Sequence, residues 1–239
     1  MHTRGRPSHL LGAVVAVLLA GCGVAKLDST PASTTALANL QPDITVVQTT
    51  VASSTTAAAR PLVYVFPFTG QVVSYQHEHH DYPATDVFGC GANVVAPLWG
   101  TVVQTRLEDL WDPKVDDPAT RGGLYVAMVG GDNVRYYFAH LASVSVAPGD
   151  AVDAGTPLGI MGQTGNARKT ACHTHFGISR PCPSDEWAVR RGEVWPWTFL
   201  DAWRSGNTTS SPALAIYAIA QQNPQACEFA QNAPSAGDA

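Results

Sequence analysis

Three stretches of this 239-residue chain carry side chains that can hold a metal ion or move a proton. HEHHDYPATD, residues 77–86, offers His77, Glu78, His79, His80, Asp81 and Asp86. YFAHL, residues 137–141, contains His140, and HTHFGIS, residues 173–179, contains His173 and His175. Of eight histidines, the six beyond the N-terminal region all lie in these stretches. Two imidazoles and a carboxylate, with a fourth position open to water, make a usual catalytic zinc site; such a metal lowers the pKa of water from about 15.7 to roughly 7. His173 and His175 are spaced i, i+2, which on a strand puts both rings on one face. His77-Glu78 could open a helical H-E-x-x-H zinc motif. However, Asp81 stands where the second histidine belongs, and Pro83 opposes the helix.

The elements that must position these groups read as strands. LVYVFPF, TVVQT, LYVAMV, VRYYFAHL and HTHFGIS are short β-type runs divided by Gly, Pro and Asp. GGDN, residues 130–133, reads as a hairpin turn between two of them. With no amphipathic helix of normal length, residues 61–180 form an all-β domain. Beyond Pro181 the texture changes: four of the six tryptophans fall within 187–203, and WTFLDAWRSG and PALAIYAIAQQ have helical spacing. Residues 181–239 are therefore a Trp-rich helical extension packed on the β domain, ending in a frayed tail.

At the N-terminus, Arg4 and Arg6 precede the apolar run LLGAVVAVLLA at 10–20, which is too short to span a bilayer and fits a signal peptide. The run ends in Leu19-Ala20-Gly21-Cys22, which is similar to the lipobox of bacterial lipoproteins. That similarity implies a signal peptide over 1–21 and lipidation of Cys22, hence export and a lipid anchor to the membrane of a bacterial envelope. Residues 22–60 are rich in Ser, Thr and Ala, lack aromatic residues, and read as a flexible tether with a root-mean-square span of roughly 35 Å. Cleavage leaves twelve basic residues against nineteen acidic, a net charge of −7. That balance argues against a nucleic-acid partner. Cys90, Cys172, Cys182 and Cys227 remain, and export favours two disulfides among three possible pairings.

In chain order, HDYPATD with VVAPLWGTVV, YFAHL, VAPGDAVDAGTPLGIMGQTGN and CHTHFGIS resemble the lysostaphin-like zinc metallopeptidases, which cut peptidoglycan cross-bridges. The resemblance covers residues 75–180 and implies an antiparallel β-sheet of β-roll type with one Zn2+ per chain. It implies Asp86 and His175 as metal ligands and His140 and His173 as catalytic histidines. Where the family's first ligand histidine usually stands, four residues before the aspartate, this chain has Tyr82. His80, six residues before Asp86, is taken as that ligand ahead of His79; an extended chain would hold His80 and Asp86 roughly 20 Å apart, so Tyr82-Pro83 must turn the backbone. If the Asp86 and His175 strands converge on one ion, Cys90 and Cys172 lie beside it and pair, leaving Cys182–Cys227 to pin the extension. The function implied is hydrolysis of peptide bonds in peptidoglycan stems or cross-bridges. Its competitor is an inactive relative that binds cell wall or activates another hydrolase, and a candidate residue for every role argues against it. A biotinyl or lipoyl carrier shares the Gly-Asp-x-Val-x-x-Gly turn, but Lys169 lacks the context of a modified lysine.

Overall fold

Strands form where β-branched and aromatic residues run together, and their alternation decides which side chains meet the core. The structure, a computed structural model, describes residues 59–184 and 186–232. The signal peptide at 1–21, Cys22 and nearly all of the 22–60 tether lie outside the described residues.

The first five strands are β1 (Phe68–Thr69), β2 (Ser74–Tyr75), β3 (Thr85–Phe88), β4 (Asn93–Val95) and β5 (Gly100–Arg106). The rest are β6 (Leu124–Gly130), β7 (Arg135–Val144), β8 (Ala151–Val152), β9 (Pro157–Met161) and β10 (His173–Ser179). They form one antiparallel sheet in the order β1-β4-β9-β7-β10-β3-β2, with β6 also on β7 and β5 joining β6 to β8. The β6–β7 hairpin turns through GGDN, where Asn133 takes a positive φ and the Gly130 amide bonds the Val134 carbonyl. LVYVFPF is the exception to the strand reading. Only Phe68 enters a strand, because the Tyr64 and Val65 amides bond Thr208 and Pro97 in separate loops rather than one neighbouring strand.

One face of β6, β7 and β10 supplies Val126, Met128, Tyr136, Phe138, Phe176 and Ile178 to the main core. Phe138 and Phe176 stack with centroids 4.9 Å apart, and each such fully buried side chain contributes about 1.5–3 kcal/mol. The opposite face carries a smaller buried group, Tyr125, Ala127, Tyr137 and Ala139. That face becomes the floor of the site.

The chain then forms α1 (Trp187–Arg190), α2 (Trp197–Arg204), α3 (Ala213–Gln222) and α4 (Ala226–Gln231). Leu200, Trp203 and Ile216 belong to the same core as the strands, and Trp203 stacks on Tyr64. The extension is thus part of the folded body. Disulfides join Cys90 to Cys172 and Cys182 to Cys227, the two pairs expected. The first closes the open end of the β3–β10 ladder, and the second holds α4 against the segment leaving β10. No described helix is long and apolar enough to cross a membrane.

Candidate active site

The β3–β10 register sets Asp86 opposite His175 and Phe88 opposite His173. Residues directly opposite in an antiparallel pair share a face, so the ladder alone brings the Asp86 carboxylate to the His175 ring. The two are hydrogen-bonded at 3.1 Å, from His175 Nδ1 to Asp86 Oδ1. His173, two residues earlier on the same strand, faces the same cleft.

The loop before β3 adds a third group. His79, Asp86 and His175 each present a ligand atom, all within 4.8 Å of one another. His80, the histidine expected from the sequence, is exposed and lines the rim of the same cleft. Bends through Asp81–Pro83 turn the chain back on itself. They tuck the His79 ring against Tyr82 at 4.6 Å and His175 at 5.2 Å. Counting back from Asp86 could not reveal which histidine such a bend directs inward. The neighbouring His77 turns away, stacking on Trp197 and pairing with Asp201. It anchors α2 rather than serving the cluster.

His140 arrives by a different device. Strict alternation along β7 puts Tyr137 and Ala139 on the site face and would send His140 into the core with Tyr136 and Phe138. Instead His140 has a φ of 62°, and the ladder to β6 shifts register between Leu124 and Val126. A one-residue irregularity reverses the sense of every later side chain. His140 therefore joins Ala139 in the cleft, and Leu141 takes the core position. The His140 and His173 rings are 4.8 Å apart.

Hydrogen bonds orient each imidazole. His140 Nδ1 donates to the Thr164 carbonyl at 2.9 Å, and His173 Nδ1 to the Ala171 carbonyl at 2.8 Å. His79 Nδ1 donates to the Tyr82 carbonyl at 3.2 Å. In each ring the proton on Nδ1 leaves an Nε2 lone pair for the cleft. His175 is turned the other way, with Nε2 donating to the Arg191 carbonyl at 2.8 Å and Nδ1 toward Asp86. Both of its nitrogens thus meet oxygen acceptors, while a neutral ring has one proton. A second ring proton satisfies both acceptors, and so does a cation between His175 Nδ1, Asp86 and His79; carbonyl bonds on the remote nitrogens are the usual outer support of ligating histidines. The donor set fits zinc.

Gly177 allows this support. A Cβ there would collide with the Arg191 carbonyl oxygen, so glycine lets the Arg190–Arg191 backbone lie across β10 and reach His175.

Electrostatics follow from burial. Burial, then the charges of His175 and His173, push His140 down to about 3, so it is neutral at pH 7. Burial and then His175 also lower His79. Burial works to raise Asp86, but the His175 hydrogen bond and the charges of His175, His173 and His79 outweigh it and hold the carboxyl well below the usual carboxylate range. The cleft holding these groups has a volume of about 400 Å³.

The sequence model of peptidase family M23 matches residues 80–189. This segment belongs to peptidase family M23. The M23 segment spans Asp86, His140, His173 and His175 and opens one residue after His79. Among solved structures, the catalytic domain of the antimicrobial peptidase lysostaphin from Staphylococcus simulans is 25% identical, over 55% of this chain and 92% of that one, with a TM-score of 0.41. Intact lysostaphin is 23% identical over 62% of this chain with a TM-score of 0.43, and the match spans 58% of its length. A zinc-containing peptidase from Vibrio cholerae is 19% identical over 48% of this chain and 36% of that one, with a TM-score of 0.38. No curated protein matches the chain.

Sequence reasoning passed over two contributors. Nothing in the sequence marks the Arg191 carbonyl as the support of His175. Thr164, by contrast, lies in the GQTGN stretch that carries part of the family resemblance, and that is its only signal.

Proposed function

We propose that this chain is a zinc-dependent endopeptidase that hydrolyses peptide bonds in peptidoglycan stems or cross-bridges. The observation that carries the reading is the pairing of two oriented imidazoles, His140 and His173, with a His79–Asp86–His175 group in one cleft of an M23 segment. His79, Asp86 and His175 would hold one Zn2+ per chain. Zinc there supplies Lewis acidity toward a scissile carbonyl and toward an attacking water.

The remaining chemistry belongs to the chain's own residues. His173, with its proton fixed on Nδ1 by Ala171, accepts a proton at Nε2 from the attacking water. The new Nε2–H then faces the developing oxyanion and can pass its proton to the leaving amine. His140, buried and neutral, accepts a hydrogen bond from the water and orients it. Tyr137 and Ala139 form the cleft floor and limit the water that reaches these groups.

Around this site the chain organises as a signal peptide at 1–21, a tether at 22–60 from a lipidated Cys22, a peptidase domain at 61–180 and an extension at 181–239. Such a protein works in the cell envelope, anchored to the membrane and reaching toward the wall. The test is mass spectrometry of cross-linked peptidoglycan after incubation with the zinc-loaded protein and, in parallel, with the chelated protein. New fragments that vanish with chelator are expected. Unchanged peptidoglycan with zinc bound would overturn the endopeptidase reading in favour of wall binding or activation of another hydrolase.

A further inference from the structure

Arginines around the sheet are mostly matched by acids. Arg121 binds Asp116 at 2.7 Å, Arg135 binds Glu186 at 2.8 Å, and Arg180 binds Glu193 at 2.7 Å. Arg191 differs. Its guanidinium lies 3.9 Å over the Tyr82 ring and 5.2 Å from Trp187. Among the described residues it forms no ion pair, and its buried Nε has no hydrogen-bond partner. A guanidinium left without an acceptor in a cleft wall calls for an explanation beyond packing.

Its position supplies one. Arg191 lines the same cleft as the histidines, and its own carbonyl holds His175. Tyr82, on which it stacks, has its ring 5.7 Å from His175. Stacking restricts the plane of the guanidinium, whose Nε meets no acceptor among the described residues. That geometry matches a carboxylate better than any neutral group, since charge-assisted bidentate pairs are both stronger and more directional.

We propose that Arg191 is a specificity-determining residue that binds a free carboxylate of the substrate beside the bond to be cut. The preferred substrate is then a cross-linked stem peptide joined through a diamino acid whose carboxyl is free, rather than an uncharged glycine bridge. This inference rests on the peptidase reading above and narrows its substrate class.

The experiment uses the full-length zinc-loaded protein and three synthetic peptides. Two are the same diamino-acid cross-link with the neighbouring carboxyl free or amidated, and the third is a pentaglycine bridge. Wild-type kcat/KM is expected to favour the free acid over the amide by about 10- to 100-fold. Arg191→Gln should collapse that ratio toward one while retaining its zinc, read by metal content. A purely structural role for Arg191 would lower both substrates together and leave the ratio intact, which would overturn the proposal. So would equal wild-type turnover of acid and amide, or a preference for the glycine bridge. Cleavage of none of the three by zinc-bound protein would instead sink the peptidase reading itself, and this inference with it.

Discussion

Asp86 and His175 are placed by a ladder, whereas His79 and His140 are placed by departures from one. The first pair needs only the β3–β10 register, in which opposite residues share a face. The second pair depends on a bent loop held against Tyr82 and on a left-handed residue that reverses the alternation of β7. The cluster is thus half regular sheet and half irregular backbone, and the two halves should fail differently. Ladder positions are over-determined by many backbone bonds. Loop and bulge positions hang on a few contacts.

The largest effects come from the proposed ligands themselves. His175→Ala and His79→Ala should each abolish zinc binding after dialysis, with losses well beyond the roughly 10- to 100-fold that follows loss of an outer-shell partner. His80→Ala should keep its zinc. Metal content of the three variants decides the matter, and zinc lost from His80→Ala but kept by His79→Ala would return the first ligand to His80. Next in size is His173→Ala. It should retain zinc yet lose turnover by about 10²- to 10⁴-fold, the range expected for a positioned proton-transfer group. Full activity in that variant would remove His173 from the reaction.

The same division explains what could be read from the sequence. HTHFGIS announces a strand with both histidines on one face, and the strand pairs as its alternation requires. The cysteines follow, because Cys90 and Cys172 flank the ladder that joins Asp86 to His175. Helical spacing in WTFLDAWRSG and PALAIYAIAQQ likewise matches α2 and α3. By contrast, counting back from Asp86 favours His80 while the structure brings His79 to Asp86 and His175, because a bend has no period and residue counts do not say which side chain it turns inward. LVYVFPF misled for a related reason: β propensity reports a surface that fits a sheet, not the presence of a neighbouring strand. The arrival of His140 in the cleft depends on a φ of 62°, which a histidine adopts only where surrounding structure imposes it.

A third prediction tests how far the ladder half depends on the extension. Gly177 lies on β10, but its lack of a side chain serves the Arg190–Arg191 backbone above it. Gly177→Ala should displace the Arg191 carbonyl from His175 Nε2 and weaken zinc by about 10- to 100-fold, with the sheet intact. Competition against a chelator of known affinity would measure this. Unchanged affinity would mean the carbonyl is dispensable, and the ladder alone orients His175.

The smallest effect probes the bulge. An unfolded histidine titrates near 6.5 and the buried His140 near 3, so between these values the unfolded chain binds more protons than the folded one. Stability therefore rises with pH across that window. His140's contribution is complete above the unfolded value and is lost as pH falls toward the folded one, with a slope of at most about 1.4 kcal/mol per pH unit. His79, also lowered, acts in the same direction. Asp86 acts elsewhere: its folded value lies below the ordinary 3.8, so its contribution is present above 3.8 and is lost only at still lower pH. Denaturant unfolding of metal-free protein from pH 7 to pH 4 separates these windows, since His140→Gln removes one proton from the first and leaves the second alone. The wild type should lose stability more steeply than the variant over this range. Parallel curves would mean that His140 is as well solvated in the folded chain as in the unfolded one, which is not the buried position that the reversal at residue 140 gives it.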